Sequence, residues 1–209
     1  MNEKPILFSG GMVRAILDGT KTMTRRVVKK PAWSPMSQEM FYAGIDLGVR
    51  EKMKFTNCPY GKPGDGLWVR ETWATGWNTM HTQPSKITPG TYVEYKAGPP
   101  TLFSSNFYKW RSPIYMPRWA SRITLEVISV RVERVQDISE EDAIAEGCSG
   151  EPCDHPNPVM PGACEDCMNS GYQYPPGLEF LDLWDSINAK RGYPWESNPW
   201  VWAVDFKKV

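Results

Sequence analysis

The stretch of residues 122–135 constrains the fold more than any other part of the sequence. Ile123, Leu125 and Val127 alternate with other residues, as expected for a strand with one buried face. Val130 and Val132 then continue the alternation in the opposite phase. A β-bulge or sharp bend near residues 128–129 would explain this switch, and sheets that curl into barrels require such bends.

The remaining elements are shorter and fit around this strand. Apolar residues at 12, 13, 16 and 17 predict a helix that ends at Gly19. Ser139 predicts the N-cap of a second helix, which Gly147 closes. Further strands are predicted at residues 6–8, 67–73, 91–95 and 199–206, and a further helix at 178–190. We therefore expect an α+β fold, a small curled β-barrel with peripheral helices and long loop insertions.

Length and composition favour one domain without a membrane span. The 209 residues fit a single domain over 1–209, with insertions at about 31–60, 74–120 and 148–177. No apolar run approaches the length of a span, and the first residues do not resemble a signal peptide. We expect a cytoplasmic protein with no membrane partner, whose five cysteines are thiols or metal ligands.

Charge is balanced overall but unevenly distributed. Residues 1–62 hold 11 lysines and arginines against 5 aspartates and glutamates, and the remainder holds 13 against 19. A basic N-terminal third could contact phosphate or nucleic acid, or it could be an ordinary solvated surface. The net charge of zero argues against a dedicated, non-specific binder of duplex nucleic acid.

The insertion at 148–177 concentrates four of the five cysteines. Two of them form the sequence CEDC at residues 164–167, a spacing typical of a zinc knuckle. We predict one structural zinc held by Cys148, Cys153, Cys164 and Cys167, with His155 as an alternative ligand. Four protein ligands leave no open position, so a catalytic zinc is not expected. The alternative is a flexible loop with free thiols.

The segment of residues 16–26, ILDGTKTMTRR, carries the strongest functional signal. Lys21 and Thr24 lie three residues apart beyond a helix end, and a buried lysine can serve as the base for a hydroxyl nucleophile. Arg25 and Arg26 could bind phosphate or the edge of a base. The same basic residues could instead only complement the helix dipole.

This segment resembles the signature of the ASCH domain family, relatives of the PUA RNA-binding fold. The sequence KPGDGLWV at residues 62–69 is similar to that family's turn into a barrel strand. The long strand, the Ser-capped helix and the closing strand follow in the family's order. Together with MPRWASR at 116–122, the pattern resembles ASCH proteins encoded by phages and prophages.

The resemblance implies an activity and a set of catalytic residues. One ASCH branch hydrolyses the acyl amide of N(4)-acetylcytidine with a lysine, a threonine and a glutamate, and needs no cofactor. Carried over, Lys21 is the base, Thr24 the nucleophile and Glu146 the proton donor to the leaving amine. Glu146 is assigned by the order of the elements, so Glu140 and Glu141 remain possible substitutes. Glu146 could also be an ordinary solvated carboxylate at the end of a helix.

Four further residues are candidates for binding the substrate, which is a modified nucleoside or RNA. Arg26 matches the family's arginine, Arg25 lies beside it, and Trp68 and Arg70 follow the Gly-Asp turn. Two alternatives to an amidohydrolase stay open. The first is a non-catalytic module that binds RNA or a modified nucleotide through Lys21, Arg25 and Arg26. The second is an ASCH-type ribonuclease in which Lys21 stabilises the phosphoryl transition state.

Overall fold

The chain combines a mixed sheet with short ribbons and a few helices. The computed structural model describes residues 2–29, 58–99, 109–152 and 172–209. Its strands are β1 (Glu3–Leu7), β2 (Met23–Val27), β3 (Gly66–Arg70), β4 (Trp73–Thr75), β5 (Val93–Tyr95), β6 (Thr124–Arg134), β7 (Glu151–Pro152), β8 (Tyr172–Tyr174) and β9 (Trp200–Lys208). Its α-helices are α1 (Gly10–Asp18), α2 (Glu140–Ala145) and α3 (Pro176–Asn188). The mixed content agrees with the predicted α+β class.

Five strands form the main sheet in the order β1-β3-β6-β9-β2. β1 runs parallel to β3, while the pairs β3–β6 and β2–β9 are antiparallel. The other strands form two ribbons, β4–β5 and β7–β8. Within the described ranges β1 and β2 end the row without pairing with each other, so the sheet is open. The prediction of a curled β-barrel is therefore wrong in one respect: the described strands form an open sheet and not a closed barrel.

The chain divides into two compact units, which two strands of the sheet pass through. The first unit comprises Met1–Gly19, Pro59–Ser129 and Phe206–Val209, and the second comprises Thr20–Cys58 and Val130–Asp205. β6 passes from one to the other after Ser129. Val127 and Val130 are buried but Ile128 is exposed, so the buried face changes phase where the sequence predicted a bend. The single domain over 1–209 stays a prediction beside this division.

In the first unit, local sequence determines where the elements end. α1 ends at Gly19, whose φ of 81° is the left-handed conformation that glycine adopts at low cost. The predicted strand of residues 67–73 is instead two strands, β3 and β4. Glu71 lies at the break, buried, and accepts two hydrogen bonds from Arg122 at 2.8 and 3.0 Å. An ion pair with a buried carboxylate fixes the chain here, and the pattern of apolar residues does not reveal it.

In the second unit, α2 and α3 pack around an apolar cluster. Its buried members are Val135, Ala143, Cys148, Phe180, Trp184 and Val201. Ser139 caps α2 as predicted, because its hydroxyl accepts a hydrogen bond from the Asp142 amide at 3.2 Å. The chain leaves α2 through Gly147, whose φ is 93°. This cluster anchors α2, and the end of α2 carries the residue that the resemblance assigned as the acid.

Searched over the described residues, the structure contains no helix both long enough and apolar enough to cross a membrane. Most of the predicted insertion at 31–60 and most of the cysteine-rich one lie outside those residues. The predicted insertion at 74–120 is described in part. It contains β5 and several single turns of 3-10 helix, among them Pro113–Tyr115 and Arg118–Ala120.

Candidate active site

Lys21 is buried in the second unit, in the short link between Gly19 and β2. Its side chain is 0% exposed. The amine donates hydrogen bonds to the carboxylate Oε2 of Glu146 at 2.6 Å and to the backbone oxygen of Glu146 at 2.7 Å. These two residues are 125 positions apart in the sequence. The structure thus brings together the predicted base and the predicted acid.

Glu146 caps the C-terminal end of α2 and is almost fully buried, with 4% of the residue exposed. The Thr22 amide donates to the Ala145 oxygen at 2.8 Å, which holds the end of α2 beside the segment that carries Lys21. Glu140 and Glu141, the possible substitutes, are exposed in the first turn of the same helix. Burial and the contact with Lys21 therefore favour Glu146 among the three.

Burial governs the protonation of Lys21. Loss of hydration lowers the pKa of Lys21 below its ordinary value, and this effect outweighs the opposite influence of the Glu146 charge and hydrogen bond. An amine with a lowered pKa gives up its proton more readily, as a general base must do before it can act. The environment of Lys21 is therefore suited to the predicted role.

Thr24 is a buried residue of β2, where it pairs with Val204 of β9. Side chains alternate along a strand, so Thr24 and Arg26 lie on one face of β2 and Arg25 on the other. Both hydrogen bonds from the Lys21 amine go to Glu146. Lys21 would therefore have to exchange one of these partners to take a proton from the Thr24 hydroxyl.

Arg25 is held by acidic side chains that the sequence reasoning did not associate with it. Its Nε and Nη2 donate to Glu133 Oε1 at 3.0 and 2.6 Å, and Nη2 also donates to Asp142 Oδ2 at 2.5 Å. Its side chain is 0% exposed. The predicted role of Arg25 in binding substrate stays a prediction, but these contacts give it a structural one.

Asp142 and Glu133 are the site residues that sequence reasoning missed. One signal was available, because Asp142 precedes Glu146 by four residues and such pairs share a helix face. Arg131 also contacts Asp142, at 2.9 Å from the more exposed side. The position of Glu133 on β6 could not have been linked to Arg25 without the sheet order.

Trp68 and Arg70, the other predicted binding residues, lie on β3 in the first unit. The Arg70 guanidinium lies 4.6 Å from the centre of the Trp68 ring, a cation–π contact. Arg70 also donates to the Ile114 oxygen at 3.2 Å. The two residues therefore contact each other, and their role in lining a pocket remains a prediction.

Cys148 is the one predicted zinc ligand among the described residues. It is buried in the apolar cluster of the second unit, and burial, with the charges of Glu179 and Glu146, raises the pKa of its thiol to about 12. Cys153, His155, Cys164 and Cys167 lie outside the described residues. Over the part of the chain that is described, no three His, Cys, Asp or Glu residues are grouped to hold a metal ion.

Comparison with known proteins adds no assignment. No family model, no curated protein and no solved structure matches the chain. The site must therefore be interpreted from its own chemistry. A buried lysine, a buried carboxylate in contact with it and a buried threonine three residues further along the sequence are the chemical groups that the predicted base, acid and nucleophile require.

Proposed function

We propose that the protein is an amidohydrolase that removes the acyl group from an N(4)-acylated cytosine nucleoside or a related modified base, on an ASCH-type, PUA-like fold. The buried contact between Lys21 and Glu146 carries the proposal. The resemblance assigned these two residues as base and acid although they lie on distant parts of the chain. A solvated helix-end carboxylate, the alternative interpretation of Glu146, would not be expected to be buried against a lysine.

The acyl transfer requires two proton transfers. The attacking hydroxyl loses a proton, and the leaving nitrogen gains one. The Thr24 oxygen attacks the acyl carbon, and its proton passes to the neutral amine of Lys21. When the tetrahedral intermediate collapses, the C–N bond breaks and Glu146 protonates the departing exocyclic nitrogen of the base. Water then attacks the ester on Thr24 and gives a proton to the Glu146 carboxylate. The bond between the acyl carbon and the Thr24 oxygen breaks, Lys21 returns its proton to that oxygen, and the carboxylic acid leaves. The net change is acylated nucleoside plus water to nucleoside plus acid.

The close contact within the pair supports these complementary roles. Lys21 must start without its proton and Glu146 must start with one. A proton shared between Nζ and Oε2, which are 2.6 Å apart, supplies both conditions by moving from the amine to the carboxylate. No cofactor is required for this chemistry. Arg26 is the residue proposed to orient the substrate, and the binding role predicted for Trp68 and Arg70 stays a prediction.

The test is release of cytidine from N(4)-acetylcytidine, followed by chromatography. We expect turnover by the wild type and losses of about 10²- to 10⁴-fold in Lys21→Ala, Thr24→Ala and Glu146→Gln. Glu140→Gln, on the exposed start of the same helix, is the matched control and should keep its activity. Inactive wild-type protein that binds RNA in a salt-sensitive manner through Arg26 would replace the enzyme with a binding module.

A further inference from the structure

The segment of residues 21–25 contacts α2 at three points along the helix. Lys21 donates to Glu146, the Thr22 amide donates to the Ala145 oxygen, and Arg25 donates to Asp142. Asp142 and Glu146 are four residues apart and share one face of the helix. Arg25 therefore contacts the N-terminal end of that face at Asp142, and Lys21 contacts its C-terminal end at Glu146.

We propose that Arg25 is a positioning residue, which fixes α2 through Asp142 and thereby places the Glu146 carboxylate at Lys21. This inference rests on the proposed function for its catalytic consequence. It differs from the role predicted from sequence, in which Arg25 touches the substrate.

The guanidinium of Arg25 is committed to protein groups on several sides. Glu133 of β6 accepts two of its hydrogen bonds, and the Sδ of Met23 lies 3.1 Å from Nη1. The ring centre of Phe180, on α3, lies 5.8 Å from the guanidinium carbon. To reach a substrate, Arg25 would have to leave both Glu133 and Asp142. The observed geometry thus favours positioning over binding.

Arg25 also approaches the part of Glu146 that Lys21 does not hold. The Oε1 atom of Glu146 is buried and accepts no hydrogen bond among the described residues. The Nη1 of Arg25 lies 3.6 Å from it, beyond hydrogen-bond distance but close enough for strong attraction in a buried site. Lys21 on Oε2 and Arg25 beside Oε1 together fix the direction of the carboxylate.

Steady-state kinetics with N(4)-acetylcytidine separate the two roles. For Arg25→Gln we expect kcat to fall about 10- to 100-fold with little change in KM, because a misplaced acid slows the chemical step rather than binding. Arg25→Lys should recover part of kcat, since a lysine keeps the charge that Asp142 needs. Asp142→Asn should resemble Arg25→Gln, and the double variant should be no worse than either single variant.

Arg131→Gln is the matched control, because it also removes an arginine beside Asp142 but from its more exposed side; its kinetics should stay near those of the wild type. A rise in KM at unchanged kcat in Arg25→Gln would overturn the proposal and return Arg25 to the substrate. An unaffected Asp142→Asn would overturn it equally.

Hydrogen exchange of the Thr22 amide gives a second readout that needs no catalysis. This amide is protected by its bond to Ala145, so it reports whether α2 stays in place. We expect protection to fall about 10-fold in Arg25→Gln and in Asp142→Asn, and unchanged protection in both variants would overturn the proposal. If the wild type does not hydrolyse the substrate, the proposed function fails, but the exchange data still decide whether Arg25 positions α2. If Arg25→Gln does not fold, Asp142→Asn carries the same test.

Discussion

Replacing Lys21 by methionine should destabilise the protein far more than replacing an exposed lysine. The side chains of Lys21 and Glu146 are 0% and 3% exposed, so removal of the amine leaves a buried carboxylate without its hydrogen-bonded cation. Breaking a buried ion pair at one partner costs about 3–5 kcal/mol of unfolding free energy. The two hydrogen bonds lost both have the charged amine as donor, and at about 1.5–3 kcal/mol each they sum to about 3–6 kcal/mol, which overlaps that range.

A double variant that removes both charges shows how much of the lost unfolding free energy comes from the unpaired carboxylate and how much from the ion pair itself. In Lys21→Met with Glu146→Leu both charges are gone, and apolar side chains fill the space. We expect the unfolding free energy of this variant to return to within about 1.5 kcal/mol of the wild type, since a buried ion pair offers little net stability over apolar packing. The variant should nonetheless be inactive if the proposed function holds, because neither the proposed base nor the proposed acid remains.

Urea unfolding followed by far-UV circular dichroism measures these differences. Lys207→Met is the control, because Lys207 pairs with Glu126 at 2.9 Å but its side chain is 59% exposed. It should cost less than about 1 kcal/mol. The reasoning would be refuted by Lys21→Met with wild-type stability, or by a double variant that loses the sum of both single costs.

Two further predictions concern acid stability and metal content. Burial alone would raise the pKa of Asp142, but hydrogen bonds and charges from its two arginine partners outweigh burial and hold that pKa below its ordinary value. Its stabilising contribution is thus complete above about pH 4 and is lost as pH falls through the lower, folded pKa, so Asp142→Asn should flatten the acid limb of a stability–pH curve. Metal analysis of gently purified protein should give about one zinc per chain, lost in Cys164→Ser. If Cys148→Ala retains zinc, His155 would be the fourth ligand in place of Cys148.

Local sequence patterns predicted the parts of the fold that local physics determines. Gly19 ends α1 because the chain there needs a positive φ, and Ser139 caps α2 because its hydroxyl can reach the amide three residues on. The phase switch in β6 was visible because side chains alternate in any strand. Each of these features depends on residues only a few positions apart.

Features that depend on distant contacts could not be obtained in this way. The break between β3 and β4 occurs at Glu71, whose partner Arg122 lies 51 positions further on. Likewise Arg25 contacts Glu133 and Asp142, which are 108 and 117 positions away. Glu146 was predicted only because family resemblance supplied the order of elements. Periodicity and capping carry no information on which charged residues meet.

The charge balance around Lys21 bears on what kind of substrate the site suits. Three cations and three carboxylates contact one another in the second unit, namely Lys21, Arg25 and Arg131 with Glu133, Asp142 and Glu146. Binding of a phosphate backbone draws on cations whose charge is available to the polyanion. The cations of this network are already compensated by neighbouring carboxylates. The network therefore favours an uncharged acyl amide at Lys21 over a phosphate, which is the reason to test a free nucleoside first.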